Sequence, residues 1–557
     1  MYNILVGGAA GQGIETTVTM LEKFLKKAGY FVHTSRDFMS RVRGGHNFSL
    51  VGFDNEEITS HSNILDGIIA LNEETISLHS HQLKDNGFIL CDTSIETDDS
   101  RAIKIDMTKM AKEIGNSRVT GSISIGVVLK LFKVDIDHSE DIMKSTLKQK
   151  YVDVNMEAIE QGYESVENKY EKLVGGKYKD YMIISGNDAI ALGAIAAGLR
   201  FYSAYPMSPS TTIMEYLELK GKEAGIVVEQ AEDEIAAANM AIGASYAGAR
   251  AMTGTSGGGF SLMVESIGLA GIAEIPLVYV NAQRPGPATG FPTRTEQSDL
   301  KFVISASQGE FPRLVIAIRD QEDAFYQTAR ALNMAEKYQI PVILLTDQYL
   351  ADGTSTIKAF DSSKISMVEA ANGEDIEGRY LRYKYTEDGI SPRLIPGKTK
   401  HLVAIDSDEH DERGWITESA ETRIKMVNKR MKKLEKLKEE LKEPDFIGRE
   451  DCHTLLIGFG STYGPIKAAI KTLNEEGEKF AGLIFSDIYP FPKKELERRA
   501  ENVSNIINIE QNATGQLADL VREQTGINCN DSILKYDGRQ ISGEEIVETL
   551  KGGRNNE

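Results

Sequence analysis

Two rhythms of apolar residues alternate along the chain. Short continuous apolar runs, bounded by glycine or polar loops, recur at Tyr2–Val6, Tyr30–His33, Phe48–Phe53, Ile68–Leu71, Gly87–Cys91, Tyr181–Ile184, Leu277–Asn281, Pro341–Asp347, Thr454–Ile457 and Gly482–Phe485. Runs of this length and composition predict buried strands. Between them the spacing turns helical. Val18, Leu21 and Leu25 fall on one face, and Lys26, Lys27 and Gly29 close that helix with the right charge sign and a glycine stop. Phe325, Thr328, Leu332 and Ala335 mark another face. Strand and helix in alternation predict α/β domains with largely parallel sheets.

The alternation is interrupted once, which divides the chain. Residues 1–174 read as one α/β domain, 181–355 as a doubly wound α/β domain opened by the strand Tyr181–Ile184, and 451–557 as a smaller third one. Residues 356–450 form an acidic insert and a charged helix from Arg423 to about Lys442, expected to be a solvated arm or docking helix. A length of 557 residues agrees with three or four domains.

Charge narrows the function. Lys and Arg number 63 against 83 Asp and Glu, a net charge of −20. Such a surface repels phosphate, which argues against nucleic-acid partners and anionic membranes. Three dispersed cysteines with no CxxC make neither a disulfide framework nor an iron–sulfur site, and the nine histidines show no metal spacing. The opening MYNILVGGAAGQG lacks a basic and then apolar leader, and no apolar stretch is long and uncharged enough to span a bilayer. A cytoplasmic protein is expected.

Several loops carry candidate chemistry. Gly7-Gly8-Ala9-Ala10-Gly11-Gln12-Gly13 joins a strand to a helix, where backbone N–H groups cradle anions such as the phosphates of coenzyme A. The same glycines also serve close strand–helix packing. Their GxxGxG spacing is not the dinucleotide fingerprint. Arg41-Val42-Arg43-Gly44-Gly45-His46 offers cations for an anion or a subunit contact. Farther on, Glu232-Asp233-Glu234 enters a helix rich in alanine and glycine, and Thr253-Gly254-Thr255-Ser256-Gly257-Gly258-Gly259 lets a flat ligand approach the main chain. Arg284, on a rigid Pro/Gly loop, suits recognition of a carboxylate.

Together these segments resemble the α subunit of 2-oxoacid:ferredoxin oxidoreductases, thiamine diphosphate enzymes, and most of all the 2-oxoglutarate type with a γ-subunit module fused at the N-terminus. GGAAGQGIE and SRVRGGHN resemble the γ module. YPMSPST, EDEIAAANMAIGASYAG, TGTSGGG and QRPGPATGFPTRTEQSDL resemble the pyrimidine-binding domain. GFGST, DIYPFP and IEQNATGQL resemble the family's transketolase-type C-terminal domain. The resemblance spans almost the whole chain.

It implies roles residue by residue. Glu234 matches the glutamate that bonds the aminopyrimidine of thiamine diphosphate, so that the ring can take the thiazolium C2 proton. Thr255, Ser256 and Gly257 lie in the cofactor loop. Ser208 stands at a threonine position and keeps its hydroxyl for substrate; Arg284 matches the arginine for the substrate carboxylate, and Thr293 a nearby hydroxyl. Gly11, Gly13, Arg41 and Arg43 are implied as coenzyme A or subunit contacts. Met207 and Ser208 replace the usual Ile and Thr, and Gly258 a usual proline, which bears on substrate identity rather than reaction class. No GDG signature for magnesium and diphosphate occurs, so the resemblance implies a β subunit that supplies magnesium, the diphosphate pocket, the iron–sulfur cluster and the ferredoxin dock, in an αβ or (αβ)2 assembly. The expected reaction converts 2-oxoglutarate and coenzyme A to succinyl-coenzyme A and reduced ferredoxin. Pyruvate or a branched-chain 2-oxoacid is the alternative substrate, and a nonoxidative, transketolase-like enzyme the alternative class.

Overall fold

The apolar runs become strands of three sheets. The computed structural model describes residues 1–40, 44–368 and 376–552. Arg41 and Arg43 lie outside the described residues. The chain divides into two compact units. One comprises 1–185, 352–359 and 542–545; the other comprises 186–351, 360–541 and 546–557.

In the first unit an eight-stranded sheet runs in the order Ala102–Ile105, Leu83–Asp92, Leu65–Ala70, Tyr2–Ala10, Gly44–Asp54, Phe31–Asp37, Thr354–Ile357, Met182–Ser185. It differs from the largely parallel expectation. The first four strands pair in parallel, and every later pairing is antiparallel. For the neighbours Phe31–Asp37 and Gly44–Asp54 the reason is connection length: their link is too short for the crossover that parallel neighbours need. Met182–Ser185 belongs to this sheet, paired with Thr354–Ile357, and does not open the second one. The helix Ile14–Lys27 buries Val18, Leu21 and Leu25 as its spacing predicts.

The second unit holds two sheets. A seven-stranded sheet has the order Asp487–Tyr489, Leu314–Ala317, Pro341–Asp347, Leu277–Gln283, Ala251–Thr255, Phe201–Ala204, Val227–Gln230, parallel except for its first strand. A five-stranded sheet is built from Asp445–Gly448, Phe480–Phe485, Thr454–Phe459, Asn505–Glu510 and Asp531–Leu534. One apolar core joins the two, with Phe260, Tyr279 and Val315 on one side and Leu455, Phe459 and Phe485 on the other. The crossing strand Asp487–Tyr489 completes the join.

The charged helix, Ala420–Glu439, is not a solvated arm. Lys429, Arg430 and Lys433 are buried. Lys429 Nζ donates to both oxygens of Glu274 at 2.7 and 2.9 Å, and Lys433 Nζ lies 2.6 Å from Glu274 Oε2. Arg430 forks onto Glu409 at 2.8 and 2.9 Å. Burial pulls Lys433 down to about 7, while the two lysines and Arg382 hold the Glu274 carboxyl far below the usual range. Removing the carboxylate strands two buried cations, so Glu274→Gln is expected to destabilise the fold by about 3–5 kcal/mol. Lys433→Met leaves the Lys429–Glu274 pair intact and removes only the bond from Lys433 Nζ to the Gln339 carbonyl at 3.1 Å, so its loss should be smaller, about 1–2 kcal/mol. Paired urea titrations check this, and equal losses in the two variants would contradict it.

Candidate functional site

Four adjacent parallel strands end at one edge of the seven-stranded sheet, and each delivers a loop there. In open α/β sheets this carboxyl edge is where ligands bind. Phe201–Ala204 leads to Met207 and Ser208; Val227–Gln230 leads to Glu234. Ala251–Thr255 ends on Thr255 and Ser256, and Leu277–Gln283 leads to Arg284. The sheet thus gathers residues that are far apart in sequence.

Glu234 begins the helix Glu234–Tyr246, and Asp233 caps it by accepting from the Ala236 N–H at 2.8 Å. With the capping done by its neighbour, the Glu234 side chain is free to turn inward. It is 3 % exposed, and its Oε1 has no hydrogen-bond partner. An unpaired buried carboxylate oxygen is costly and points to a missing donor. Gly259, in the first turn of the helix Gly257–Ile272, makes room for it: a Cβ there would overlap Thr255 Oγ1 and Glu234 Oε1 and lie 2.8 Å from Glu234 Cδ. Ser256 is fully buried at the N-cap of that helix, yet its hydroxyl caps nothing and has no partner. Thr255 Oγ1 meets Met207 Sδ at 3.7 Å.

Arg284 reaches across to the loop after Phe201–Ala204. Its Nη1 donates to the Ser208 carbonyl at 2.7 Å, so the contact between these two residues uses the Ser208 main chain and leaves the exposed hydroxyl to other partners. Burial lowers the Arg284 guanidinium below its ordinary value, opposed first by the charge of Asp299 and then by that of Glu234. Thr293 lies farther along the same loop, half-buried. Gly257 is half-buried against Asp299, whose Cγ would stand 3.0 Å from a Cβ at that glycine. Asp299, Asn281 and Gly259 are site residues that residue type and spacing do not single out. Asp299 and Gly259 lie inside family-like motifs, but only the fold shows what they face.

In the first unit, the glycine loop divides into two roles. Gly7 and Gly8 serve packing, since a Cβ would meet Thr75 Cγ2 at 2.6 Å or Gln12 Oε1 at 2.6 Å. Gly11 and Gly13 adopt left-handed conformations at φ 94° and 84° with open space around them. They line a polar cleft of about 760 Å³ together with Thr17, Thr108, Asn116 and Arg118. His46, the histidine of the SRVRGGHN motif, is buried. Its Nε2 lies 2.7 Å from that of His79, and burial with this neighbour holds it at about 4, neutral near pH 7.

Comparison with known proteins gives three domain matches. Residues 3–165 match pyruvate ferredoxin/flavodoxin oxidoreductase, residues 192–429 the thiamine diphosphate-binding domain of pyruvate flavodoxin/ferredoxin oxidoreductase, and residues 452–546 the pyruvate:ferredoxin oxidoreductase core domain II. A 2-oxoacid:ferredoxin oxidoreductase subunit alpha from Sulfolobus sp is 34% identical, over 98% of this chain and 96% of the relative. The 2-oxoglutarate synthase subunit KorA of Methanothermobacter thermautotrophicus is 32% identical over 66% of this chain and 97% of its own length. Among solved structures, 2-oxoglutarate:ferredoxin oxidoreductase from Magnetococcus marinus, with 2-oxoglutarate, coenzyme A and succinyl-CoA bound, superposes with a TM-score of 0.92 at 31% identity over 99% of both chains. No helix among the described residues is long and apolar enough to cross a membrane.

Proposed function

The chain belongs to the 2-oxoacid:ferredoxin oxidoreductase α subunits, and we propose that it carries the pyrimidine-binding half of an active site that oxidises 2-oxoglutarate to succinyl-coenzyme A in the cytoplasm. The observation that carries this reading is the buried, partnerless Oε1 of Glu234 in the space that Gly259 leaves open. A protonated ring nitrogen of an aminopyrimidine is the donor such an oxygen lacks, so the residues present fit that end of thiamine diphosphate.

When bound, thiamine diphosphate supplies the electron sink through which a 2-oxoacid loses carbon dioxide and its acyl group passes to coenzyme A, with two electrons left for ferredoxin. The chain's own residues prepare that chemistry. Glu234 holds the pyrimidine ring by its nitrogen, and burial strengthens the bond by excluding water. The Ser256 hydroxyl, equally buried and unpaired, is a second contact from the same loop, with Thr255 and Gly257 beside it. Arg284 offers its remaining N–H groups to a substrate carboxylate, and the Ser208 and Thr293 hydroxyls serve the substrate side.

Three supports favour 2-oxoglutarate. The acid is bound in the Magnetococcus marinus enzyme, and the Methanothermobacter relative is named a 2-oxoglutarate synthase subunit. The third is a positive Arg284 suited to a distal carboxylate. We assign magnesium, the diphosphate pocket and the iron–sulfur cluster to a β subunit in an αβ or (αβ)2 assembly. Ferredoxin docks on that subunit in this reading, because an acidic carrier would be repelled by a chain of charge −20. The cleft at Gly11 and Gly13 is assigned to coenzyme A, and Arg41 and Arg43 of the SRVRGGHN segment to coenzyme A or a subunit contact.

The test is coenzyme A-dependent reduction of a viologen dye, without oxygen, by this chain copurified with its partner. 2-Oxoglutarate, pyruvate and 2-oxoisovalerate are offered in parallel. 2-Oxoglutarate should be preferred, and Arg284→Ala should cut kcat/KM for it about 10–100-fold more than for pyruvate, the loss of one charged contact. Equal losses on both acids would remove the distal-carboxylate role, and a preference for another acid would reassign the substrate.

A further inference from the structure

The GFGST and IEQNATGQL segments lie at the edge of the five-stranded sheet, and the proposed function gives them no task. Both touch the loop that carries Arg284 and Thr293. That loop leaves the seven-stranded sheet at Gln283 and comes back to it at Asp299, whose N–H donates to Gln283 Oε1 at 3.0 Å. Its outer part folds on itself: the Phe291 N–H donates to the Pro285 carbonyl, and the Arg294 N–H to the Phe291 carbonyl, each at 3.1 Å. Its returning limb, from Thr293 onward, is held from the other sheet.

Gln297 is the centre of that hold. It is fully buried, and each of its four polar groups is bonded to a loop of the five-stranded sheet. Its N–H donates to the Gln511 carbonyl at 2.6 Å, and its carbonyl accepts from Asn512 Nδ2 at 3.1 Å. Its Nε2 donates to the Phe459 carbonyl at 2.8 Å, and its Oε1 accepts from the Gln511 N–H at 3.3 Å. Gly460, left-handed at φ 58°, turns the chain just after Phe459, and a Cβ there would crowd Gln297 Nε2 at 3.1 Å. Flanking bonds are fewer. The Thr295 N–H donates to the Gly538 carbonyl at 3.3 Å, and Gln516 Nε2 to the Ser298 carbonyl at 2.7 Å.

We propose that Gln297 is a positioning residue through which the five-stranded sheet sets where Thr293 and Arg284 stand toward the substrate. Thr293 is on the held limb, and the Phe291–Pro285 bond carries the hold to the residue beside Arg284. The inference rests on the reading that this loop faces the 2-oxoacid. Glu234 and Ser256 come from the loops after Val227–Gln230 and Ala251–Thr255, so a fault at Gln297 is expected in substrate binding and not in cofactor binding.

The experiment uses the complex of this chain and its partner. It reads KM for the preferred 2-oxoacid in the viologen assay and the Kd of thiamine diphosphate with magnesium by calorimetry. Gln297→Ala is expected to raise KM about 10-fold while the cofactor's Kd holds, the cost of a displaced substrate contact. Asn474→Ala is the control. It also removes two hydrogen bonds, both to Phe480 at the opposite end of the five-stranded sheet, and should leave KM unchanged. An unchanged KM in Gln297→Ala would overturn the proposal. So would a weakened cofactor Kd in that variant, or an equal rise of KM in Asn474→Ala, since either means general loosening. Should Gln297→Ala fail to fold, the half-buried Gln516→Ala releases the same limb more gently and should raise KM about 2–10-fold; no rise there would overturn the proposal equally. Arg284→Ala, assayed alongside, separates the two ideas. An unchanged KM in Arg284→Ala removes the reading that the loop faces the substrate, whereas a raised one with an unaffected Gln297→Ala removes only the role of Gln297.

Discussion

Glu234→Gln is expected to lower kcat of the assembled enzyme by about 10²–10⁴-fold while the fold stays intact. The range is that of a lost proton-handling group, about 3–5 kcal/mol of barrier. Glutamine fills the same space beneath Gly259 but offers the pyrimidine nitrogen a weaker, uncharged acceptor. Stability should not fall, because the cap of the helix Glu234–Tyr246 belongs to Asp233 and Glu234 Oε1 bonds nothing in the chain. Exchange of an oxygen that bonds nothing in the chain should leave Tm close to the wild-type value. Single-turnover kinetics beside a thermal melt make the check. Turnover near the wild-type rate would sink the Glu234 assignment, and a collapse of Tm would show that the residue serves the fold first.

The second large effect comes from a residue with no side chain. Alanine is ordinarily the better helix former, by about 1 kcal/mol over glycine. At Gly259 that preference should reverse in function. A methyl group there would overlap Thr255 Oγ1 and Glu234 Oε1, both buried and neither able to retreat toward solvent. Gly259→Ala is therefore expected to lower kcat/KM by at least about 10²-fold through displacement of Glu234, with an overpacking cost of about 1–3 kcal/mol. Gly258→Ala is the internal control. The nearest atom to a Cβ there is the Ala288 carbonyl oxygen at 3.9 Å, so this variant should keep its activity and gain stability. Equal activity losses in the two variants would mean that the loop needs flexibility at both positions, not space for one carboxylate.

The contrast between these glycines shows what the sequence carries and where it stops. Apolar runs such as Pro341–Asp347 and helix faces such as Phe325, Thr328, Leu332 and Ala335 are legible because burial imposes a period on the residues themselves. The α/β class follows from their alternation. Strand direction in the first sheet does not, because it depends on how connections cross, and an interior strand borrowed from residues 354–357 leaves no local trace. The basic helix Ala420–Glu439 reads as solvated because its partners, Glu274 and Glu409, come from other loops. In the site, Glu234, Ser256 and Arg284 are recognisable by residue type within motifs. Asp299 is not: at the head of a helix it looks like a cap, and only the third dimension shows it facing Asn281 and Gly257.

Synthesis on the ribosome meets the borrowed strand as a delay. Met182–Ser185 pairs only with Thr354–Ile357, which the ribosome reaches 169 residues later (354 − 185 = 169). At about 5–20 residues per second, the nascent sheet waits roughly ten to thirty seconds for its last partner, while the whole intervening α/β layer emerges. Until then the edge formed by Phe31–Asp37 is open to any extended segment nearby, including another nascent chain. The N-terminal sheet is therefore the first begun, yet it closes only after the strands from Phe201–Ala204 to Pro341–Asp347 have been made, and its yield in expression should depend on chaperone capacity.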